Sequence, residues 1–309
     1  MRYWVDKTMA IDSAALEDFS RAKRKAKFQS ILSALSWKNS DLMSFYEVTS
    51  IIKPKSETYL GMQTIPVAKI IGSEGRYHDF SSAFFPKREM LKNRWCSVDS
   101  AVLNDVILPP ISVYSLGGYY FVRDGNHRVS VAKAQGVEYI DAEVVELDSE
   151  IPLSPDMSMK ELKEKVVDYE RNTFIAQYKP SYLPMGDIVF TSPGSYPEMV
   201  NHILVHKYYI NQNLDHEITF EEAAESWYKN VYSPIVQEIR AEHLLSAFPG
   251  QTEGDMYMWI VRKWDEYKKS DSTMSAAEAV RKAGKEKGSD FLHLLGRYAK
   301  YYLSKLSRA

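Results

Sequence analysis

Apolar residues recur at three- and four-residue spacing from Asp12 to about Lys38, where Phe19, Ala22 and Ala26 are followed by Ile31 and Leu35. That rhythm predicts a helix, with Asp12 or Ser13 placed to cap it. From Met62 to Leu147 the pattern changes to short extended runs. Ile65-Pro-Val67 through Ile70-Ile71 reads as one strand and its continuation. Leu108-Pro-Pro-Ile111-Ser-Val113-Tyr114 reads as another, whose prolines keep its start out of a central ladder. Gly117-Gly118 signals a hairpin, with Tyr119 to Val122 as the returning strand. Val129 to Gln135 is a short helix closed by Gly136, and Tyr139 to Glu146 alternates like a half-buried strand.

After the proline-bearing stretch Asp148 to Pro155, helical spacing dominates. Candidates are Met159–Phe174, Tyr196–Asn211, Phe220–Ala247, Glu253–Lys269 and Ala276–Leu306. The expected organisation is α+β: a helical arm over 1–60, a small mixed domain over 61–150 and a helical domain over 156–309.

Composition narrows the function classes. The chain has 309 residues, 45% hydrophobic and 26% charged, an ordinary globular balance. A formal charge of −2 gives no global attraction to nucleic acid or anionic lipid, so DNA enters only through a local patch. The run Arg21-Ala-Lys-Arg-Lys-Ala-Lys27 is the candidate patch, but a solvated outer helix face explains it better, since no aromatic or Gly-rich context accompanies the charges. No apolar run reaches the ~18 residues of a membrane span, and the first residues lack a leader pattern. With a single cysteine, Cys96, a reducing, cytoplasmic setting is expected. Trp227, Tyr228, Tyr232, Trp259, Trp264 and Tyr267 are read as core or interface aromatics.

The chemistry concentrates where an apolar strand runs through Arg123-Asp-Gly-Asn-His-Arg128 straight into a helix. The first N–H groups of a helix lack intrahelical acceptors, and the macrodipole makes that end positive. Such a terminus seats a phosphate or carboxylate. Gly125 lets the backbone turn, and Arg128 can grip phosphate oxygens with two parallel bonds. His127 can donate a hydrogen bond or exchange a proton near neutral pH. Asp124 and Asn126 have the chemistry to position a metal ion, a hydroxyl or a base edge. Two cationic side chains at the positive end of a helix call for a compensating anion.

The segment GGYYFVRDGNHRVSVAKAQG, with the strand from Ile65 and the LPPI stretch before it, resembles the ParB/sulfiredoxin-like superfamily over about Met62–Leu147. Its members include partition proteins that use CTP, sulfiredoxins that use ATP and free-serine kinases that use ADP. The resemblance implies that Gly125, His127 and Arg128 are the phosphate turn, and that Asp124 is the acidic residue of the serine-kinase form Asp-Gly-His-His-Arg. Sulfiredoxins carry their reactive cysteine where this chain has Asn126, so sulfinic acid reduction is not expected. Partition proteins carry Gly-Glu-Arg-Arg there, which places this chain nearer the kinase-like branch.

The resemblance also implies that Gly72-Ser-Glu-Gly-Arg-Tyr-His-Asp-Phe80 lines the nucleotide pocket. Glu74 would then be a general base and Arg76 would stabilise the transferring group. Arg94, beside Trp95, is read either as a further phosphate contact or as an aromatic-packed surface arginine. The expected ligand is thus ATP or ADP, with CTP as the variant, together with Mg²⁺ and a small hydroxyl substrate. The alternative is a nucleotide-gated DNA- or protein-binding switch without turnover, and a nuclease ranks last because no carboxylate cluster supports it. Glu198, His202 and His206 lie at four-residue intervals, a spacing open to a metal but better explained by interhelical hydrogen bonding, and no metal site is assigned.

Overall fold

A computed structural model of the chain describes residues 2–36 and 41–286. The chain divides near Val166 into two compact units. The first contains helix α1 (Arg2–Ser36), strand β1 (Met43–Ser44), helix α2 (Phe45–Ile52), strands β2 (Glu57–Pro66) and β3 (Ile70–Ser73), and helix α3 (Lys92–Leu103). Strands β4 (Ile111–Leu116) and β5 (Tyr119–Asp124), helix α4 (Asn126–Gln135) and strand β6 (Tyr139–Leu147) complete it.

The six strands form one mixed sheet in the order β1-β3-β5-β4-β6-β2. The β4–β5 hairpin turns through Gly117 and Gly118, both left-handed at φ 57 and 85, and only glycine adopts that pair without strain. β3 then lies parallel to β5, β6 parallel to β4, and β2 antiparallel to β6. One face of the sheet packs on α1, α3 and α4 through Phe19, Trp95, Val98, Val129, Val113 and Val122. On the other, Phe45 of α2 stacks on Tyr114 at 4.3 Å and meets Phe121 edge-on. Two polar links stitch α4 into this core. The Trp95 indole N–H donates to Ser130 Oγ at 2.9 Å, and Lys133 Nζ, pushed down to about 8 by burial, donates to Ile70 O at 2.7 Å.

Several expectations change. Ile65 and Ile70 belong to different strands, because Pro66 ends β2 and a 3-10 turn over Val67–Lys69 carries the chain away. β5, β4 and β6 separate the two strands. Asp12 and Ser13 do not cap α1, which begins ten residues before Asp12, at Arg2, and runs through both. α1 and the 61–150 segment fall within one compact unit, and α3 is a helix additional to those expected.

The second unit is helical. α5 (Met159–Tyr178) leads to α6 (Ser195–Asn211), α7 (Phe220–Trp227), α8 (Ser233–Ala241), α9 (Glu253–Lys268) and a last described helix over 276–286; residues beyond 286 lie outside the described part. The expected single helix Phe220–Ala247 is divided. A wider turn over Tyr228–Tyr232 lets Ser233 N–H reach Tyr228 O just ahead of Pro234, which has no N–H to place. Thr252 caps α9 as expected, in a reciprocal capping box with Asp255. Trp227, Tyr232 and Tyr267 are buried in this unit's core, with Tyr228, Trp259 and Trp264 packed against it.

The Trp95–Ser130 link gives a direct test. Ser130→Ala leaves a buried indole N–H without an acceptor and is expected to cost about 1–3 kcal/mol, against about 3–5 for Trp95→Ala. Urea unfolding curves of both variants check this. A loss below about 0.5 kcal/mol in Ser130→Ala would show that the indole finds another partner.

Candidate functional site

β5 enters α4 through a single residue. Gly125 has φ 101, and a Cβ there would stand 2.5 Å from Ile111 Cγ2, so the turn accepts only glycine. α4 therefore begins at Asn126, and His127 and Arg128 lie in its first turn. Opposite this turn runs α3, preceded by a 3-10 turn over Glu89–Leu91. Met90, Arg94, Ser97 and Ala101 recur at three- and four-residue spacing and face the gap. The gap is a cleft of about 690 Å³ that Arg76, Leu108, Pro109 and residues 124–128 also line.

Within it, Arg128 is already occupied. Its guanidinium donates to the carbonyl of Pro109, to Pro110 O at 2.6 Å and to Asp124 Oδ2 at 2.5 Å. Its side chain is 14% exposed, whereas Asp124 is 78% exposed. The anion that offsets a cation at the positive end of α4 is thus, for Arg128, the chain's own Asp124. Asn126 is 8% exposed, and its Oδ1 has no hydrogen-bond partner.

His127 points inward, edge-on to Phe80 at 5.6 Å, with Nδ1 buried and unpartnered. Burial first, then the nearby Arg76 and Arg94 guanidiniums, hold its imidazole down at about 4. The expectation of proton exchange near neutral pH does not hold for this environment, because the free imidazole is neutral there.

The 72–80 loop splits between two places. Arg76 reaches the cleft while its guanidinium bonds Asp79 at 3.2 Å, and Arg88 shares that carboxylate at 3.3 Å. Glu74 does not join the turn. Its carboxylate accepts from the Tyr46 hydroxyl at 2.7 Å, which pushes that phenol upward. The pleat of β5 explains the separation. Val122 and Asp124 face α3 and α4, whereas Phe121 packs on Phe45 and Arg123 lies over the Tyr114 ring, on the side of Tyr46. Glu74 belongs with that second group, so its expected role as base at the phosphate turn is not supported by its position.

Other candidates disperse. Glu198 is held by both forks of Arg262, His202 meets Tyr257 Oη at 3.1 Å and His206 meets Ser226 Oγ at 3.0 Å, each with a different neighbour. Among the described residues no group of three His, Cys, Asp or Glu is placed to hold a metal ion. The Cys96 thiol is pushed up by burial and by Asp99, away from reactive thiolate character. In the basic run, Arg21 pairs with Asp18, Lys23 with Glu89, and Lys25 lies over Phe85. No described helix is long and apolar enough to cross a membrane. The wall contributed by α3 was missed in the sequence, although Leu91, Trp95, Val98 and Val102 carry a helical rhythm that marks it.

No family model matches the chain, and no curated protein matches it. Among solved structures it is similar to sulfiredoxin from Arabidopsis thaliana, at 18% identity and a TM-score of 0.22 over 27% of this chain and 82% of that one. It is also similar to a Pnob8-like ParB-N domain, at 12% identity and a TM-score of 0.21 over 68% of this chain and 98% of that one.

The depressed His127 sets a pH dependence. The unfolded chain takes up this proton near 6.5 and the folded chain only near 4, so stability falls as pH drops through that window and levels off below it. Chemical denaturation of wild type and His127→Gln at several pH values checks this. The difference between the two is expected to change between pH 6.5 and 4, and parallel curves there would contradict the assignment.

Proposed function

We propose that the cleft between α3 and the Gly125 turn binds the phosphate groups of a nucleotide, ATP or ADP, with CTP as the variant. The observation that carries this reading is the convergence of Arg76 and Arg94, from separate elements, on the positive end of α4. An oxyanion entering there meets two guanidiniums and the free N–H groups of the first turn together. Met90, Leu91, Leu108 and Pro109 supply an apolar wall for a base, and about 690 Å³ is room enough for a nucleotide. Mg²⁺ would travel on the phosphates, since among the described residues Asp124 is the one carboxylate lining the cleft that could assist it.

Phosphoryl transfer to a small hydroxyl substrate is the enzymatic extension. Asp124, rather than Glu74, is the carboxylate positioned to orient an acceptor, because it stands exposed at the mouth with one oxygen held by Arg128.

A thermal-shift screen with ATP, ADP, CTP and GTP, each with and without Mg²⁺, tests the binding. A nucleotide at 100 times its dissociation constant stabilises the native state by about 2.7 kcal/mol, a shift of a few degrees. Melting unchanged by all four would overturn the proposal. Loss of γ-phosphate only when a hydroxyl acceptor is supplied would support transfer.

A further inference from the structure

We infer that Arg94, and not Arg128, is the guanidinium that takes up the ligand's negative charge, and that Arg128 is a latch fastening the 109–110 segment to the first turn of α4. This division of labour rests on the cleft being an anion site. It reverses what the turn sequence implies, where the arginine closing Gly-Asn-His-Arg is the phosphate grip.

Arg128 has little to offer a ligand. Three of its five N–H donors go to the carbonyls of Pro109 and Pro110 and to Asp124, and its side chain is largely enclosed. Turning that fork onto a phosphate would break these bonds and strand two proline carbonyls, a cost that an unbound guanidinium does not carry. Arg76 is intermediate, since it already shares Asp79 with Arg88. Arg94 differs from both. It projects from the cleft-facing stripe of α3, one turn from Met90 and from Ser97 and Val98, and it is exposed. Among the described residues it makes no side-chain hydrogen bond or ion pair, so only hydration is given up when an anion arrives.

A second feature at this end of the cleft is an acceptor still in need of a donor. Asn126 lines the cleft, is more than nine-tenths buried, and leaves its carbonyl oxygen without a partner. A protein-only arrangement would not ordinarily leave such a group unpaired. That oxygen calls for a hydroxyl, an N–H or a water carried in with the ligand, and the anion's negative charge itself falls to the guanidiniums.

Titration calorimetry of the full chain with inorganic tripolyphosphate at low salt, paired with thermal melts, separates the roles. Arg94→Gln is expected to weaken binding about tenfold or more while leaving the melting temperature of the free protein unchanged. Arg128→Lys keeps the charge but loses the fork, and is expected to lower that melting temperature by several degrees with affinity within about threefold. Should Arg128→Lys fail to fold, Asp124→Asn loosens the same latch. It is expected to melt lower and to bind the anion somewhat more tightly, because a negative charge has left the cleft.

Wild-type affinity in Arg94→Gln would overturn the division of labour, as would unchanged melting with lost binding in Arg128→Lys or Asp124→Asn. If the wild-type chain binds no tripolyphosphate, the anion reading itself falls. Binding that survives Arg94→Gln removes only the assignment of Arg94.

Discussion

The cleft depends on how β5 is joined to α4. With one left-handed glycine between them and Ile111 Cγ2 against the space where a side chain would begin, the helix can leave the strand in only one direction. That direction turns the first turn of α4 toward α3 and sends His127 inward against Phe80. It also brings Arg128 back over the start of β4, where the Pro109 and Pro110 carbonyls have no ladder partner to satisfy them. Asp124, the last residue of β5, neutralises the same guanidinium. The charge left to act on a ligand is what this arrangement does not consume, and it comes from outside the turn: Arg76 after β3 and Arg94 on α3.

Local features were legible in the sequence where the chain decides them locally. The Gly117-Gly118 hairpin, the Gly136 cap of α4 and the Thr252–Asp255 capping box all follow from residues within a few positions of one another. The α+β character and the position of His127 and Arg128 at a helix start follow in the same way. What failed depends on distant parts of the chain. Ile65 to Ile71 carries the composition of one strand, but Pro66 breaks it and the halves are placed by partners far along the sequence, Ile140 for one and Tyr120 for the other.

The site divides along the same line. Its turn could be found from Asp124 to Arg128, and Arg76 lines the same cleft. Glu74 was not, since two positions along a chain leaving a strand can separate the two faces of a sheet. That Arg128 is spent on two prolines and an aspartate is a fact of tertiary contact which no motif records. His127 differs from its solution behaviour for a related reason: burial and two guanidiniums act on it together, and neither is visible from its neighbours in sequence.

The two ends of the sheet carry a consequence for the protein's behaviour in a crowded solution. An open six-stranded sheet has two rims of unsatisfied backbone, each a template on which another molecule could add a strand. Here β1 presents only two residues, Met43 and Ser44, too short a stretch to recruit one. At the far rim β2 is ten residues long and, from Thr58 to Pro66, uncharged, so electrostatic repulsion does not guard it. Its protection is geometric. The register slips between Tyr59 and Gly61, breaking the ladder near its middle, and Pro66 closes it. Among the described residues, what guards this rim against lateral association is the irregularity at Gly61 and the closing Pro66 rather than charge.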